Sequence, residues 1–176
     1  MRAAENASDL LDDRELAVPR ELVFEAWTVP EHFARWFAPH GVEVPMCEMD
    51  ARPGGEIRFH HRFATGELVS IKGVFDEVVA PARLRFTFTF VDADDRPTAP
   101  PQLPDWPVGV HIVMTVELQA TRRGTRMTVH QRVAEAEHAG TPPVVRHREL
   151  AGEGWGQTAE RLVEYLERRS STSWPS

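Results

Sequence analysis

The sequence contains a single cysteine, Cys47, so it can form neither an internal disulfide nor a zinc site built from several cysteines. One free thiol fits a reducing compartment. The first residues, Met1–Asp13, are polar and acidic and lack the apolar core of a secretory signal. No apolar run approaches the roughly 18 residues that a transmembrane helix requires. We therefore expect a soluble cytoplasmic protein that does not use a membrane.

Positive charge and metal-binding motifs are also scarce. Lys72 is the only lysine, and the net charge at pH 7 is −7. An acidic chain without a basic patch is poorly suited to nucleic acid or anionic membranes. No two histidines lie on one helix face at metal-binding spacing, and the neighbours His60 and His61 face opposite sides of a strand. We expect no metal, no cofactor and no nucleic-acid partner.

The strongest pattern in the sequence is an amphipathic helix near its end, from Gly154 to Leu166. Its apolar residues recur at helical spacing and form one stripe, namely Trp155, Ala159, Leu162, Val163 and Leu166. Charged residues take the opposite side. Such a stripe must be buried, and a sheet is the only large apolar partner upstream.

Hydrophobic periodicity predicts that sheet and its neighbours. A short strand near 10–17 is followed by two short helices within 19–37 and by about six strands between 42 and 133. Connections of hairpin length predict antiparallel pairing. The fold class is α+β, with six or seven strands and a long C-terminal helix. We expect one domain over 9–169, with flexible tails at 1–8 and 170–176.

Three segments resemble the SRPBCC (START-like) superfamily, in the branch related to the activator of Hsp90 ATPase. They are the helical stretch 19–36, the turn and strand Arg52-Pro-Gly-Gly-Glu-Ile-Arg-Phe59, and the stretch that begins Gly154-Trp-Gly-Gln-Thr-Ala-Glu. The resemblance extends over about Leu10 to Arg169. It implies the helix-grip fold, in which a curved antiparallel sheet wraps around the C-terminal helix. It also implies a hydrophobic ligand between sheet and helix, although a minority of members are cyclases or related enzymes. No catalytic residue carries over.

If the last helix crosses the concave face of the sheet, the inward side chains converge beneath it. They could form a filled core, since burial of each large apolar side chain contributes about 1.5–3 kcal/mol. We expect instead a cavity that holds a hydrophobic or aromatic small molecule. The predicted ligand-binding residues are Trp36, Phe59, His61, Phe63, Phe75, Phe86, Phe88, Trp106, Met114, Met127, Trp155 and Leu162.

His61 is the polar exception on an apolar strand face, and three interpretations are open. It could anchor a ligand, or it could be a buried histidine satisfied by a backbone carbonyl. It could also act as an acid or base with Glu48, which alternation from Val42 places on the inward face. Gln131 is a further candidate for a polar anchor.

These interpretations correspond to different functions. The first hypothesis is a ligand-binding protein, monomeric or a homodimer, and we favour it. The second is a cyclase- or dehydratase-type enzyme that uses His61 and Glu48. The third, suggested by the resemblance, is a co-chaperone-like partner of Hsp90. The proline-rich loop 92–109 is either a lid over the cavity or an inert insertion.

Overall fold

The computed structural model describes residues 9–172. In chain order the elements are β1 (Leu10–Leu16), α1 (Arg20–Thr28), α2 (Pro30–Trp36), β2 (Cys47–Met49), β3 (Glu56–Arg62), β4 (Leu68–Val79), β5 (Arg83–Val91), β6 (Ile112–Thr121), β7 (Gly124–Val133) and α3 (Pro142–Thr172). A short 3-10 turn, Ala136–His138, precedes α3. The predicted order of strand, two helices, six strands and long helix is confirmed.

The structure describes part of one of the two predicted tails. Residues 1–8 and 173–176 lie outside the described residues. Residues 170–172, which we assigned to the C-terminal tail, instead form the end of α3. The helix therefore continues past the predicted boundary of the domain.

The seven strands form one open antiparallel sheet in the order β1-β7-β6-β5-β4-β3-β2. Chain neighbours pair from β2 to β7, and β1 closes the other side by pairing with β7, where Leu16 lies opposite Thr125. Gly124 makes this approach possible. It has a φ of 146°, and a Cβ atom there would lie 2.2 Å from the carbonyl oxygen of Leu16.

The core lies between the inner face of the sheet and the helices. Its centre is a cluster of aromatic rings that joins α1, α2 and α3. The ring centre of Trp27 lies 4.8 Å from that of Trp36 and 6.1 Å from that of Trp155. The indole N–H of Trp36 also donates to the carbonyl oxygen of Ala26 over 2.9 Å. These contacts hold α3 across the sheet, as the helix-grip fold requires.

Strand β2 is shorter than predicted, and its side chains have the opposite phase. Cys47 lies opposite the buried Phe59 and so shares its inner face, whereas Glu48 lies opposite Arg58 on the outer face. Pro45 lacks an N–H group for a regular ladder, and residues 42–46 make only isolated contacts with β3. Alternation counted from Val42 therefore does not extend to residue 48.

Helix α3 begins about three turns before its predicted start at Gly154. Val144, His147 and Ala151 continue the stripe of Trp155 toward the sheet at helical spacing. From its charged residues, the sequence predicts a polar connection over 135–148, but the structure places residues 142–148 in α3. Tertiary packing supplies the stability that the intrinsic propensity of this glycine-containing segment lacks.

Candidate functional site

A cavity of about 370 Å³ lies between the inner face of the sheet and the first half of α3. This volume falls within the range of roughly 300–1,000 Å³ that is typical of small-molecule sites. The walls come from six strands, β1 and β3 to β7, from the segment after α2, from the loop 92–111 and from α3. The lining residues are Leu11, Phe37, Pro39, Phe59, His61, Phe63, Val69, Ile71, Phe88, Phe90, Pro100, Gln102, Leu103, Met114, Gln131, His147, Leu150, Ala151, Gly154 and Trp155.

Six of the twelve predicted ligand-binding residues line this cavity. They are Phe59, His61, Phe63, Phe88, Met114 and Trp155. Gln131, the additional candidate for a polar anchor, lines it as well. The structure therefore brings together residues from β3, β5, β6, β7 and α3 that are separated by up to about a hundred positions in sequence.

The other six predicted residues do not line the cavity. Five of them fill the core elsewhere and are almost completely buried, namely Trp36, Phe75, Phe86, Met127 and Leu162. Trp106 is also buried, but it packs behind the cavity wall against the rings of Phe90 and His147. Along α3 the cavity ends at Trp155, so Leu162, two turns further on, lies in the core beyond it.

Several lining residues were missed in the sequence. His147, Leu150 and Ala151 belong to the early turns of α3. The helical spacing of His147 and Ala151 to Trp155 was the signal that could have revealed those two, whereas Leu150 lies off that stripe. Pro100 and Leu103 come from the loop 92–111, which folds over the cavity and contributes part of its wall. That loop has no periodicity, so the sequence holds no comparable signal for them.

His61 makes one hydrogen bond, which defines its chemical state. Its Nε2 atom lies 2.8 Å from the carbonyl oxygen of Phe37. Because that oxygen can only accept, Nε2 carries the proton, and in the neutral ring Nδ1 keeps a lone pair. Burial lowers the pKa of His61 to about 4, against the opposing effect of the Phe37 bond and with a further contribution from the positive charge of Arg161. The ring is neutral at pH 7.

The predicted pair of His61 and Glu48 does not form. Glu48 is exposed on the outer face of the sheet, because β2 has the opposite phase to the one predicted. The interpretation of His61 as a histidine satisfied by a backbone carbonyl describes its geometry correctly. Cys47 provides no nucleophile in its place, since burial raises the pKa of its thiol to about 12.

His147 is the second imidazole in the cavity wall. Its ring centre lies 4.9 Å from that of Trp106 and 6.2 Å from that of Phe90. Burial lowers its pKa to about 4, so it is also neutral at pH 7. Among the described residues that line the cavity, none is an Asp, Glu, Lys or Arg. The site thus offers neutral polar groups in an apolar wall.

Arg161 fixes the edge of the site from outside the cavity. Its guanidinium donates to the carbonyl oxygens of Ala38, Pro39 and Val42 over 2.8–3.2 Å, and to that of Arg35 over 3.2 Å. These oxygens belong to the end of α2 and to the segment after it. One side chain of α3 therefore holds the turn that carries Phe37 and Pro39 into the cavity wall.

The described residues include neither a group of metal-ligand side chains nor a helix that could span a membrane. Within 9–172, no three His, Cys, Asp or Glu side chains are grouped so that they could hold a metal ion. In the same part of the chain, every helix is too short or too polar to cross a bilayer.

The sequence from residue 17 to residue 167 matches the family model described as activator of Hsp90 ATPase homolog 1-like protein. The match covers both the cavity and the helices that enclose it. The chain belongs to this family. The predicted resemblance is confirmed, and so is the helix-grip fold. No curated protein matches the sequence significantly.

Solved structures of other proteins have a similar fold. A protein of Nitrosomonas europaea is 31% identical, with a TM-score of 0.71, over 94% of this chain and 99% of that one. A protein of Chromobacterium violaceum is 26% identical, with a TM-score of 0.66, over 89% of this chain and 94% of that one. The AHSA1 protein of Silicibacter pomeroyi shares the fold at 21% identity and a TM-score of 0.68, over 90% and 96% of the two chains.

Proposed function

We propose that this protein binds a hydrophobic small molecule in the cavity between the sheet and the first half of α3. The observation that carries the proposal is the space of about 370 Å³, whose wall consists mainly of Phe, Leu, Ile, Val and Met side chains. Protein interiors normally pack without voids of this size, so an apolar space in a closely packed fold supports a ligand. The helix-grip fold of the family is consistent with this role.

The wall has a rim through which a ligand could enter. Leu150 lines the cavity and is 46% exposed, and Gln102 of the loop 92–111 is an exposed lining residue as well. Elsewhere the lining residues are mostly buried. We therefore place the entrance between the first half of α3 and this loop, which Arg146 and Asp105 join through an exposed ion pair at 3.0 Å.

The alternatives have weaker support. The enzyme hypothesis depended on the His61–Glu48 pair, and the two residues lie on opposite faces of the sheet. A co-chaperone role would need a docking surface. Among the described residues, three of the exposed large apolar side chains lie on β4 at least five positions apart, and three lie on other segments; they are Leu68, Val74 and Val79, and Leu10, Val108 and Leu150.

Binding can be tested with the uncharged fluorescent molecule N-phenyl-1-naphthylamine. We expect saturable fluorescence enhancement with the wild-type protein. Ala151 lines the cavity from α3, so Ala151→Trp would fill it, and we expect at least roughly tenfold weaker binding. Glu153→Trp places the same side chain on the exposed face of the same helix and serves as the control.

The outcome that would contradict the proposal is equally specific. It is contradicted if the wild type shows no saturable binding and native mass spectrometry finds no small molecule carried through purification. Equal weakening by Ala151→Trp and Glu153→Trp would show that the dye binds outside the cavity.

A further inference from the structure

We propose that the ligand is an uncharged molecule with a hydroxyl group on its apolar ring skeleton, and that this hydroxyl donates to Nδ1 of His61. The inference rests on the proposed binding function and adds the chemical class of the ligand. It follows from the tautomer of His61 that the Phe37 contact selects and from the lack of charged side chains among the described residues that line the cavity.

The first step concerns which ring nitrogen of His61 donates a hydrogen bond and which can accept one. Its Nε2–H is used by the carbonyl oxygen of Phe37, and no described residue donates to Nδ1. A neutral imidazole with a proton on Nε2 presents only a lone pair at Nδ1. A ligand hydroxyl complements that lone pair, whereas a carbonyl or ether oxygen placed there would oppose it.

The second step concerns why the His61 ring keeps this orientation and does not rotate. Phe37 is buried at the end of α2, and its carbonyl belongs to the segment that Arg161 holds in place through neighbouring oxygens. Rotating the His61 ring to turn its N–H toward the cavity would leave the Phe37 oxygen without its donor, which is costly in a buried position. The fold thus keeps the acceptor nitrogen, Nδ1, available on a residue that lines the cavity, and it disfavours the alternative orientation.

The third step concerns the charge of the ligand. The lining residues among 9–172 include no cationic side chain that could pair with a carboxylate or phosphate. Their two histidines are neutral at pH 7 because of burial. An anion would therefore lose its hydration without gaining a partner, and a cation would meet no carboxylate.

The surroundings of His61 define where the hydroxyl sits on the ligand. The imidazole lies beside two aromatic rings, with its centre 5.3 Å from that of Phe59 and 6.3 Å from that of Phe37. A group that reaches Nδ1 must pass between apolar side chains. This favours a hydroxyl attached directly to a flat apolar ring over one on a polar or charged chain.

The test compares three molecules with the same ring system: 2-naphthol, 2-methoxynaphthalene and 2-naphthoate. Isothermal titration at pH 7 should show 2-naphthol binding about tenfold more tightly than the methyl ether, which lacks the donor. The naphthoate anion should bind more weakly than either. In His61→Phe, the preference for naphthol over the ether should disappear. His40→Phe is the control, because it makes the same change at an exposed histidine that does not line the cavity, and it should preserve the preference.

A second measurement does not depend on a variant that folds. In wild-type protein labelled with ¹⁵N, the Nδ1 resonance of His61 should shift on addition of 2-naphthol in the direction of an accepted hydrogen bond. The methyl ether should leave it nearly unchanged. Equal affinities of naphthol and ether, tighter binding of the anion, or an unshifted Nδ1 would overturn this inference but not the proposed function. If none of the three molecules nor N-phenyl-1-naphthylamine binds, the proposed function itself fails.

Discussion

Nε2 of His61 in β3 lies 2.8 Å from the carbonyl oxygen of Phe37, the residue that follows the last turn of α2. This bond joins the sheet to the short helices at the wall of the cavity. It makes one histidine both part of the fold and part of the site. The consequences concern the pH dependence of stability, the role of the neighbouring Arg161 and the division between core and cavity.

The two buried histidines make stability depend on pH in a predictable direction. The pKa values of His61 and His147 are about 4 in the folded protein, against 6.5 in an exposed chain. Between these values the unfolded chain binds protons that the folded protein does not, so the free energy of unfolding decreases as the pH falls from about 6.5 toward 4. Each histidine contributes a slope of up to about 1.4 kcal/mol per pH unit.

Urea unfolding at pH 7, 6 and 5 measures this slope. His147→Phe should reduce it by the contribution of one histidine. Above pH 5 the carboxyl groups of Asp13 and Asp95, whose pKa values are lowered in the folded state, remain ionised. A flat profile between pH 7 and 5 would show that the histidines are not held neutral.

Replacing Arg161 should destabilise the protein more than its position on the outer side of α3 suggests. Arg161→Met leaves the carbonyl oxygens of Ala38, Val42 and Arg35 without the Arg161 donor, while that of Pro39 keeps the Val42 N–H, and we expect a loss of about 2–3 kcal/mol in the free energy of unfolding. Arg161→Lys should recover only part of it, because an ammonium group lacks the planar fork that reaches these oxygens together.

Arg168→Met is the control for Arg161→Met, since it removes an arginine from the same helix. Arg168 lies within 3.4 Å of Glu164, and its side chain is 77% exposed. We expect a change below about 0.5 kcal/mol. Equal effects of the two substitutions in chemical denaturation would show that the contacts of Arg161 contribute no more than a surface ion pair.

The same substitution, leucine to alanine, at two positions of α3 distinguishes a residue of the core from a residue that lines the cavity. Leu162 is fully buried and does not line the cavity, so Leu162→Ala should cost about 3 kcal/mol of stability and leave the affinity for N-phenyl-1-naphthylamine unchanged. Leu150 lines the rim and is 46% exposed. Leu150→Ala should cost below about 1 kcal/mol and weaken dye binding.

Thermal unfolding and fluorescence titration of both variants, below their transition temperatures, give the two quantities. The reverse pattern, with dye affinity lost in Leu162→Ala and retained in Leu150→Ala, would move the site under the second half of α3. That is where we placed part of it from the sequence.

Local patterns predicted the fold because they follow directly from burial. The stripe of Trp155, Ala159 and Leu162 requires a helix on a sheet, and the alternation around Phe59 and His61 fixes the inner face of β3. The structure places these residues on the faces that the patterns predicted. At Pro45 the regular strand is interrupted, so alternation counted from Val42 no longer gives the correct face. Glu48 was therefore assigned to the inner face, although it lies on the outer face.

The sequence alone determined which faces are apolar, since the period of hydrophobic residues is a property of neighbours along the chain. It did not determine which part of that apolar surface is filled. Only the tertiary structure decided that Phe75, Phe86 and Leu162 pack together while Phe59, Phe88 and His147 border a space. The physical reason is that a void depends on the distance between α3 and the sheet. That distance is set jointly by side chains from distant segments, including the loop 92–111 and the contacts of Arg161.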